Sequence, residues 1–467
     1  MYRLVSRPEF EVIKASIGSD ISGTFRRMKN GDYLDPVSYD ALVEVTRDKR
    51  MKWWDSARFG IFVHYGIFSA RGMGEWELAW DGIEPHVYEA SANDLCYKKG
   101  AAEEWVKLAK DAGAKYMVLT ARHHDGFSLW DSETNAYNSV NMGPKTDIVR
   151  EYTEACRKHG MKIGLYFSIM DWHNCDCAKG VMDQTARKRF CDYLSDMAAE
   201  LLTNYGKIDI WWYDMPYPYE DALALNMYVI NQRIRALQPD IIINNRCGID
   251  EDFSTPEENF KQSGRYWESC LTFNKCSWGY VDGSQDINYS YRPQEIVRDL
   301  ALCARNRGNY LLNIAPKADG SVSQHNADTL LKVGKWLEKK GESIYGERRP
   351  AYGISGGTAY AVYGGNQTAF TTAADDIIYI FEPIWPDSGE IHIAGYDRAP
   401  MRIYNLADNT DFRFRFCNNR ITVYDLPKKA PDKILGITVL TMQFDSSPHY
   451  RFCGAYAHVN NGNRAYI

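Results

Sequence analysis

No apolar stretch in this 467-residue sequence reaches the roughly 18 residues needed to span a bilayer, so no membrane-spanning helix is expected. Residues 1–9 lack the short apolar run of a secretion signal, and the expected location is cytoplasmic. Lysine and arginine form no stripe with interleaved aromatics, and the net charge is −6, which argues against nucleic acid as a partner. A glycine-rich phosphate loop is missing too. The first apolar strand runs into Tyr65-Gly66-Ile67-Phe68-Ser69, so the dinucleotide fingerprint is excluded. Cysteine occurs eleven times without a framework spacing. An odd number with no export signal reads as free thiols in a reducing compartment. The close pair Cys175 and Cys177 lacks further ligands at matched spacing, and no metal site is read there.

What is present is an ordinary globular composition, 45% apolar and 25% charged, long enough for two or three domains. Residues 1–50 are polar, with short helices expected around 8–17 and 37–48, and form an N-terminal extension without evident chemistry. From residue 51 apolar strands alternate with amphipathic helices. The strand candidates are 60–64, 115–120, 162–167, 208–213, 241–244 and 310–314. Helices are expected at 103–112, around 148–156, at 190–205, 226–237 and 295–304. This rhythm implies an α/β fold with a parallel sheet, and its length over 51–346 suits a (β/α)8-like TIM barrel better than a doubly wound sheet. After Gly346 alternating strand patterns take over at 377–381, 390–394, 412–416, 420–424 and 436–444. Residues 347–467 are therefore expected to form a β-sandwich.

In such a barrel the C-terminal strand ends line the active site. The first strand delivers His64, with Glu75-Trp76 in the following loop. The second delivers His123-His124-Asp125, and the third ends at Tyr166-Phe167-Ser168. The fourth carries Trp211-Trp212-Tyr213 straight into Asp214, and the fifth ends at Asn244-Asn245-Arg246. An acidic loop follows, with Asp252, Glu257 and Glu258, and then Trp267-Glu268. Singly, each residue has an ordinary structural role open to it. Together they place carboxylates, histidines and aromatics at one barrel mouth, which fits a neutral, hydroxyl-rich substrate. Glycoside hydrolysis needs two carboxylates, one to attack or activate water and one to protonate the leaving oxygen. A metal bound by His64, His123 and His124 is the rival reading. Adjacent residues on a strand point to opposite faces, so His123 and His124 could share one ion only from a twisted loop.

These residues together resemble the α-L-fucosidases of glycoside hydrolase family 29. The resemblance begins at Met51-Lys52-Trp53-Trp54-Asp55-Ser56-Ala57-Arg58-Phe59-Gly60-Ile61-Phe62-Val63-His64-Tyr65-Gly66. It continues through His123-His124-Asp125-Gly126-Phe127-Ser128-Leu129-Trp130 and Trp211-Trp212-Tyr213-Asp214. Asp252-Phe253-Ser254-Thr255-Pro256-Glu257, Trp267-Glu268-Ser269-Cys270 and Ser277-Trp278-Gly279-Tyr280 follow. Gly308-Asn309-Tyr310-Leu311-Leu312-Asn313-Ile314-Ala315-Pro316 closes it. Tyr65 stands where the family usually has Trp. The resemblance covers about residues 51–346 and, more loosely, the C-terminal segment.

The resemblance implies a retaining glycosidase without cofactor or metal, acting on terminal α-L-fucosyl units of oligosaccharides or glycoconjugates, with a homo-oligomer left open. Asp214 matches the family's nucleophile. His64, Glu75, Trp76, His123, His124, Tyr166, Trp212, Arg246 and Trp278 match substrate-binding positions. Three residues compete for the acid/base role: Glu257, which follows the Thr-Pro-Glu pattern and is favoured, then Glu268 and Glu258. A barrel glycosidase for another sugar, such as an α-L-galactoside, and a non-catalytic sugar-binding protein remain the alternatives.

Overall fold

The computed structural model describes residues 5–219, 221–260, 262–283, 290–351, 370–394 and 396–449. Three helices come first. Ser6 caps Arg7–Ser19 through a reciprocal pair with Glu9, and Ile21–Lys29 follows. Asp35 accepts from the backbone N–H groups of Val37 and Ser38 to start Pro36–Met51, whose first residue is a proline already set for helical φ. That helix runs into the parallel-strand region and buries Tyr39, Leu42, Val43 and Arg50.

Seven strands follow: β1 Phe59–Val63, β2 Tyr116–Arg122, β3 Lys162–Ser168, β4 Ile210–Asp214, β5 Ile242–Ile243, β6 Glu268–Leu271 and β7 Asn309–Ile314. All pairings among them are parallel, in the order β5-β4-β3-β2-β1-β7-β6. From β5 to β1 the order is consecutive in the chain, without the mid-sheet reversal of a doubly wound fold. The two edge strands are linked by single parallel bridges, Asn244 to Phe253, Ser254 to Trp267 and Glu257 to Cys270. Helices connect most of the successive strands and cover the outside. Ile148–His159 shows why they dock there: Ile148, Val149, Tyr152, Ala155 and Cys156 are buried along one side, and Gly160 at φ 68° ends the helix.

Alternation along the strands divides two cores. Phe62 of β1, Tyr116 and Val118 of β2, Tyr166 of β3, Ile210 and Trp212 of β4, Cys270 of β6 and Leu311 of β7 pack together, with Phe253 of the bridging segment among them. Their neighbours Ile61, Met117, Leu119, Leu165, Trp211 and Leu312 point the other way, towards the helices. Space inside is tight. A Cβ on Gly60 would lie 2.4 Å from the Tyr116 ring, so only glycine lets β1 pass that side chain.

The C-terminal part carries β8 Phe370–Ala374, β9 Ile377–Glu382, β10 Ile391–Ala394, β11 Arg402–Asn405, β12 Arg413–Cys417, β13 Arg420–Tyr424 and β14 Thr438–Gln443. They form two antiparallel sheets, β10-β13-β12 and β11-β14-β9-β8. Ile378, Ile380, Ile403 and Met442 of the larger sheet share a core with Ile391, Ile421 and Val423 of the smaller. On the other face of the larger sheet, Tyr379, Phe381 and Val439 join the main core. Trp336 and Lys340 of the helix Gln324–Lys340 fasten it there: the Trp336 indole donates to the Ile437 carbonyl at 3.0 Å, and buried Lys340 pairs with Asp432 at 2.6 Å. Strands β6, β8 and β11 are absent from the sequence reading, and parts of the expected sandwich, residues 352–369 and 450–467, lie outside the described residues.

Candidate active site

The C-terminal ends of β1 to β4 open into a pocket of about 420 Å³, counting its mouth. Asp214 is the last residue of β4, in register with Ser168. It shares the inward face with Trp212, because the strand period is two. Its Oδ1 accepts from Arg246 Nη1 at 2.7 Å and from the Met215 backbone at 2.9 Å. Its Oδ2 accepts from the Tyr166 hydroxyl at 2.8 Å and lies 3.7 Å from His124 Nε2. Burial, and then the Asp214 charge, hold the Tyr166 phenol well above its usual range, so it stays a donor.

Arg246 sits in the short turn after β5. Burial alone would lower its basicity, but the charges of Asp214 and Glu257 reverse that. Its guanidinium lies 4.7 Å from the Trp212 ring centroid. The same guanidinium gives Nη1 to Asp214 and Nη2 to Glu257 Oε2 at 3.0 Å, while Nε donates to Thr255 at 2.9 Å. Glu257 also accepts from the Trp278 indole at 2.9 Å. One planar fork therefore carries both pocket carboxylates. Glu257 is 45% exposed at the rim, while Asp214 is 13% exposed.

Three histidines form another wall. His64 Nδ1 is 2.7 Å from Asn313 of β7, and His124 Nδ1 is 2.6 Å from Ser168 of β3. His123 stacks on Tyr166 at 5.6 Å between centroids and 6° between planes. Burial drives all three well below the usual imidazole range, His124 to about 3, and their mutual charges add to this. All are therefore neutral near pH 7, suited to hydrogen-bond hydroxyls rather than to hold an anion. Both His123 and His124 face the pocket because β2 ends at Arg122, after a register shift between Thr120 and Arg122. Strand alternation would have separated them.

Ten of the residues singled out in the sequence line this pocket: His64, Trp76, His123, His124, Tyr166, Trp212, Asp214, Arg246, Glu257 and Trp278. Glu75 does not. It is buried behind the wall, where Oε2 accepts from the Ser277 hydroxyl at 2.6 Å and the Gly279 N–H at 2.7 Å, bracing the loop that presents Trp278. Glu268 does not reach the pocket either. It begins β6 and lies beneath Trp212, accepting from that indole at 3.0 Å and from the Tyr116 hydroxyl. Both oxygens are committed and the residue is 1% exposed, so the structure gives it no path to a departing sugar oxygen. Glu258 turns away to accept from Thr272 at 3.0 Å. Phe62, Met215 and Cys270 also line the pocket without having been singled out. Phe62 was within reach, two residues before His64 on the same strand face. Cys270 required β6, four residues too short to show a pattern.

A family model described as alpha-L-fucosidase matches residues 31–342. The tissue alpha-L-fucosidase of Homo sapiens is 29% identical over 415 residues, 82% of this chain and 86% of that protein. The alpha-L-fucosidase of Dictyostelium discoideum is 28% identical over 391 residues, 73% of this chain and 83% of that one. Among solved structures, alpha-L-fucosidase isoenzyme 1 from Paenibacillus thiaminolyticus superposes with a TM-score of 0.76 at 29% identity, covering 86% of this chain and all of that one.

Proposed function

The chain belongs to the α-L-fucosidase family, and from that premise we propose that Asp214 is its nucleophile and Glu257 its acid/base. The protein is a glycoside hydrolase that removes terminal α-L-fucosyl units. In the first half-reaction an Asp214 oxygen attacks the anomeric carbon and forms a glycosyl ester. The departing oxygen takes its proton from Glu257. In the second, Glu257 takes a proton from water, the water oxygen attacks the anomeric carbon, and the Asp214 carboxylate leaves. Two inversions give net retention.

The observation that carries this reading is the shared guanidinium. Arg246 donates to Asp214 through Nη1 and to Glu257 through Nη2, which brings a nucleophile and an acid/base to one pocket. The neutral histidines and the Tyr166 hydroxyl supply hydrogen bonds for sugar hydroxyls. Phe62, Trp212 and Trp278 offer apolar surface for a ring face and methyl group. The substrate is a fucosylated oligosaccharide or glycoconjugate.

We also read the curled parallel sheet as a (β/α)8-like barrel in which the 253–257 segment occupies the remaining strand position, and the two antiparallel sheets as a β-sandwich. Support comes from the bridges that this segment makes to both edges and from the core shared by the two sheets.

Asp214→Gly should abolish turnover of an aryl α-L-fucoside, with azide restoring it and giving the β-fucosyl azide. Full activity in that variant, or an azide product of α configuration, overturns the assignment.

A further inference from the structure

A second cleft lies beside the catalytic pocket and has no part in the chemistry above. Its volume is about 630 Å³, counting the open mouth. The loops after β1, β2 and β3 build it, so it opens at the same end of the sheet. Tyr88, Tyr137 and Trp172 give it aromatic walls, and Glu89 and His173 give it polar ones.

An aromatic partition lies between the two cavities. Trp76 lines the catalytic pocket and Trp172 lines the cleft, and their rings meet edge to face at 5.2 Å. His124, a catalytic-pocket residue, packs against both, at 5.2 Å from Trp76 and 5.5 Å from Trp172. Trp80 extends this surface outward. It stacks on Trp76 at 5.4 Å and 19° yet is 76% exposed, a large apolar ring left in water next to Ala79 of the cleft lining.

The lining chemistry suits a neutral polyol ring. A pyranose has an apolar face for aromatic contact and a hydroxyl rim for hydrogen bonds. Tyr137 stacks on His173 at 4.1 Å and 14°, and His173 Nε2 lies 3.4 Å from Glu89 Oε1. Both side chains of that pair remain more than a third exposed, at 38% and 37%. They can meet hydroxyls of either hydrogen-bonding sense.

We propose that this cleft binds a second sugar of the fucosylated glycan, a neutral hexose other than the fucosyl unit being cleaved. The proposal rests on the fucosidase reading and adds where selection among glycans is made. Binding there contributes to capture of oligosaccharides and not to bond cleavage itself, so it acts on kcat/KM mainly through KM.

The test uses Ala79→Trp, which fills the cleft from an exposed position, and His173→Ala, which removes the polar pair. Neither residue belongs to the catalytic pocket. An aryl α-L-fucoside is compared with α-1,2-, α-1,3-, α-1,4- and α-1,6-fucosylated disaccharides and with trisaccharides that add one hexose. The wild type is expected to favour at least one trisaccharide over its disaccharide by about tenfold, chiefly in KM. A79W should erase that preference and H173A reduce it, while both keep aryl-fucoside kcat/KM within about twofold of wild type. No trisaccharide preference in the wild type, an intact preference in A79W, or equal losses on aryl and trisaccharide substrates each overturns the cleft assignment. Failure of the wild type to hydrolyse the aryl fucoside is a different result, because it overturns the fucosidase reading itself.

Discussion

At the scale of single residues, the sharpest division is between Glu257 and Glu268. Glu257 stands at the pocket rim with two donors. Glu268 is sealed beneath Trp212. Glu257→Ala should therefore lower turnover of a natural fucoside by about 10²- to 10⁴-fold while largely sparing an aryl fucoside with a good leaving group. Kinetics on paired substrates check this, and the same leaving-group pattern in Glu268→Ala would reverse the ranking. Arg246→Lys keeps the charge but cannot donate to both carboxylates in one plane. It should cost roughly 10- to 100-fold in kcat/KM, the worth of a lost charge-assisted hydrogen bond. Glu268 has a consequence for stability instead. Burial lifts its carboxyl from 4.5 to about 7, against hydrogen bonds from Tyr116 and Trp212. The folded chain thus keeps a proton that the unfolded chain releases as pH rises between those values. Stability from this group is fullest below pH 4.5 and declines until about pH 7. Glu268→Gln removes that decline, so the variant should gain on the wild type across the window by up to about 3 kcal/mol. Urea unfolding of both proteins at about pH 5 and about pH 8 measures it, and parallel stabilities at the two values refute it.

At the scale of elements, legibility followed length and period. Strands such as β2 and β3 have seven residues each and announce themselves by apolar continuity, as does the run through Trp212 to Asp214. β6 has four residues and begins with a glutamate, so nothing local marks it. Its strand conformation is set by β7 and by the bridging segment, and without it the reach of Glu268 could not be judged. The bridging segment is harder still, since Phe253, Ser254 and Glu257 make isolated bridges rather than a ladder. What fixes it is upstream. Asp252 accepts from Arg50 at 2.6 Å, from Arg235 at 2.8 Å and from the Ile243 N–H at 2.9 Å. Glu251 accepts from Arg235 at 2.5 Å, Tyr39 at 2.7 Å and Asn231 at 2.7 Å. Two of these contacts, Arg50 to Asp252 and Tyr39 to Glu251, join residues some two hundred positions apart, which no sequence pattern displays. Removing one carboxylate leaves buried guanidinium charge uncompensated, so Asp252→Asn should cost about 3–5 kcal/mol in denaturant unfolding. It should also lower kcat on an aryl fucoside, because Thr255 and Glu257 follow within five residues. Unchanged stability would mean that the arginines find other partners.

At the scale of the whole molecule, the larger antiparallel sheet faces two ways. One side meets the smaller sheet and the other meets Trp336, which stacks on Phe381 at 6.0 Å. That arrangement couples the C-terminal strands to the catalytic part, and calorimetry is expected to show one unfolding transition. Trp336→Ala, at a fully buried position, should destabilise the protein by about 3–5 kcal/mol and lower the temperature at which fucosidase activity is lost. Two separate transitions in the wild type would show that the halves unfold independently.

The helix Pro36–Met51 sets a limit on how far the protein can be shortened. A version starting at residue 51, where the alternating pattern begins, discards Arg50 and Tyr39 together. Arg235 alone would then face two buried carboxylates, and the Glu251 oxygen now taken by Tyr39 would lose that donor. Such a product would be expected to express poorly or to collect in the insoluble fraction, although every pocket-lining residue is still encoded. Trimming only the first helix, Arg7–Ser19, removes one buried residue, Ile17, and spares both contacts. The minimal active enzyme therefore begins well before its first strand.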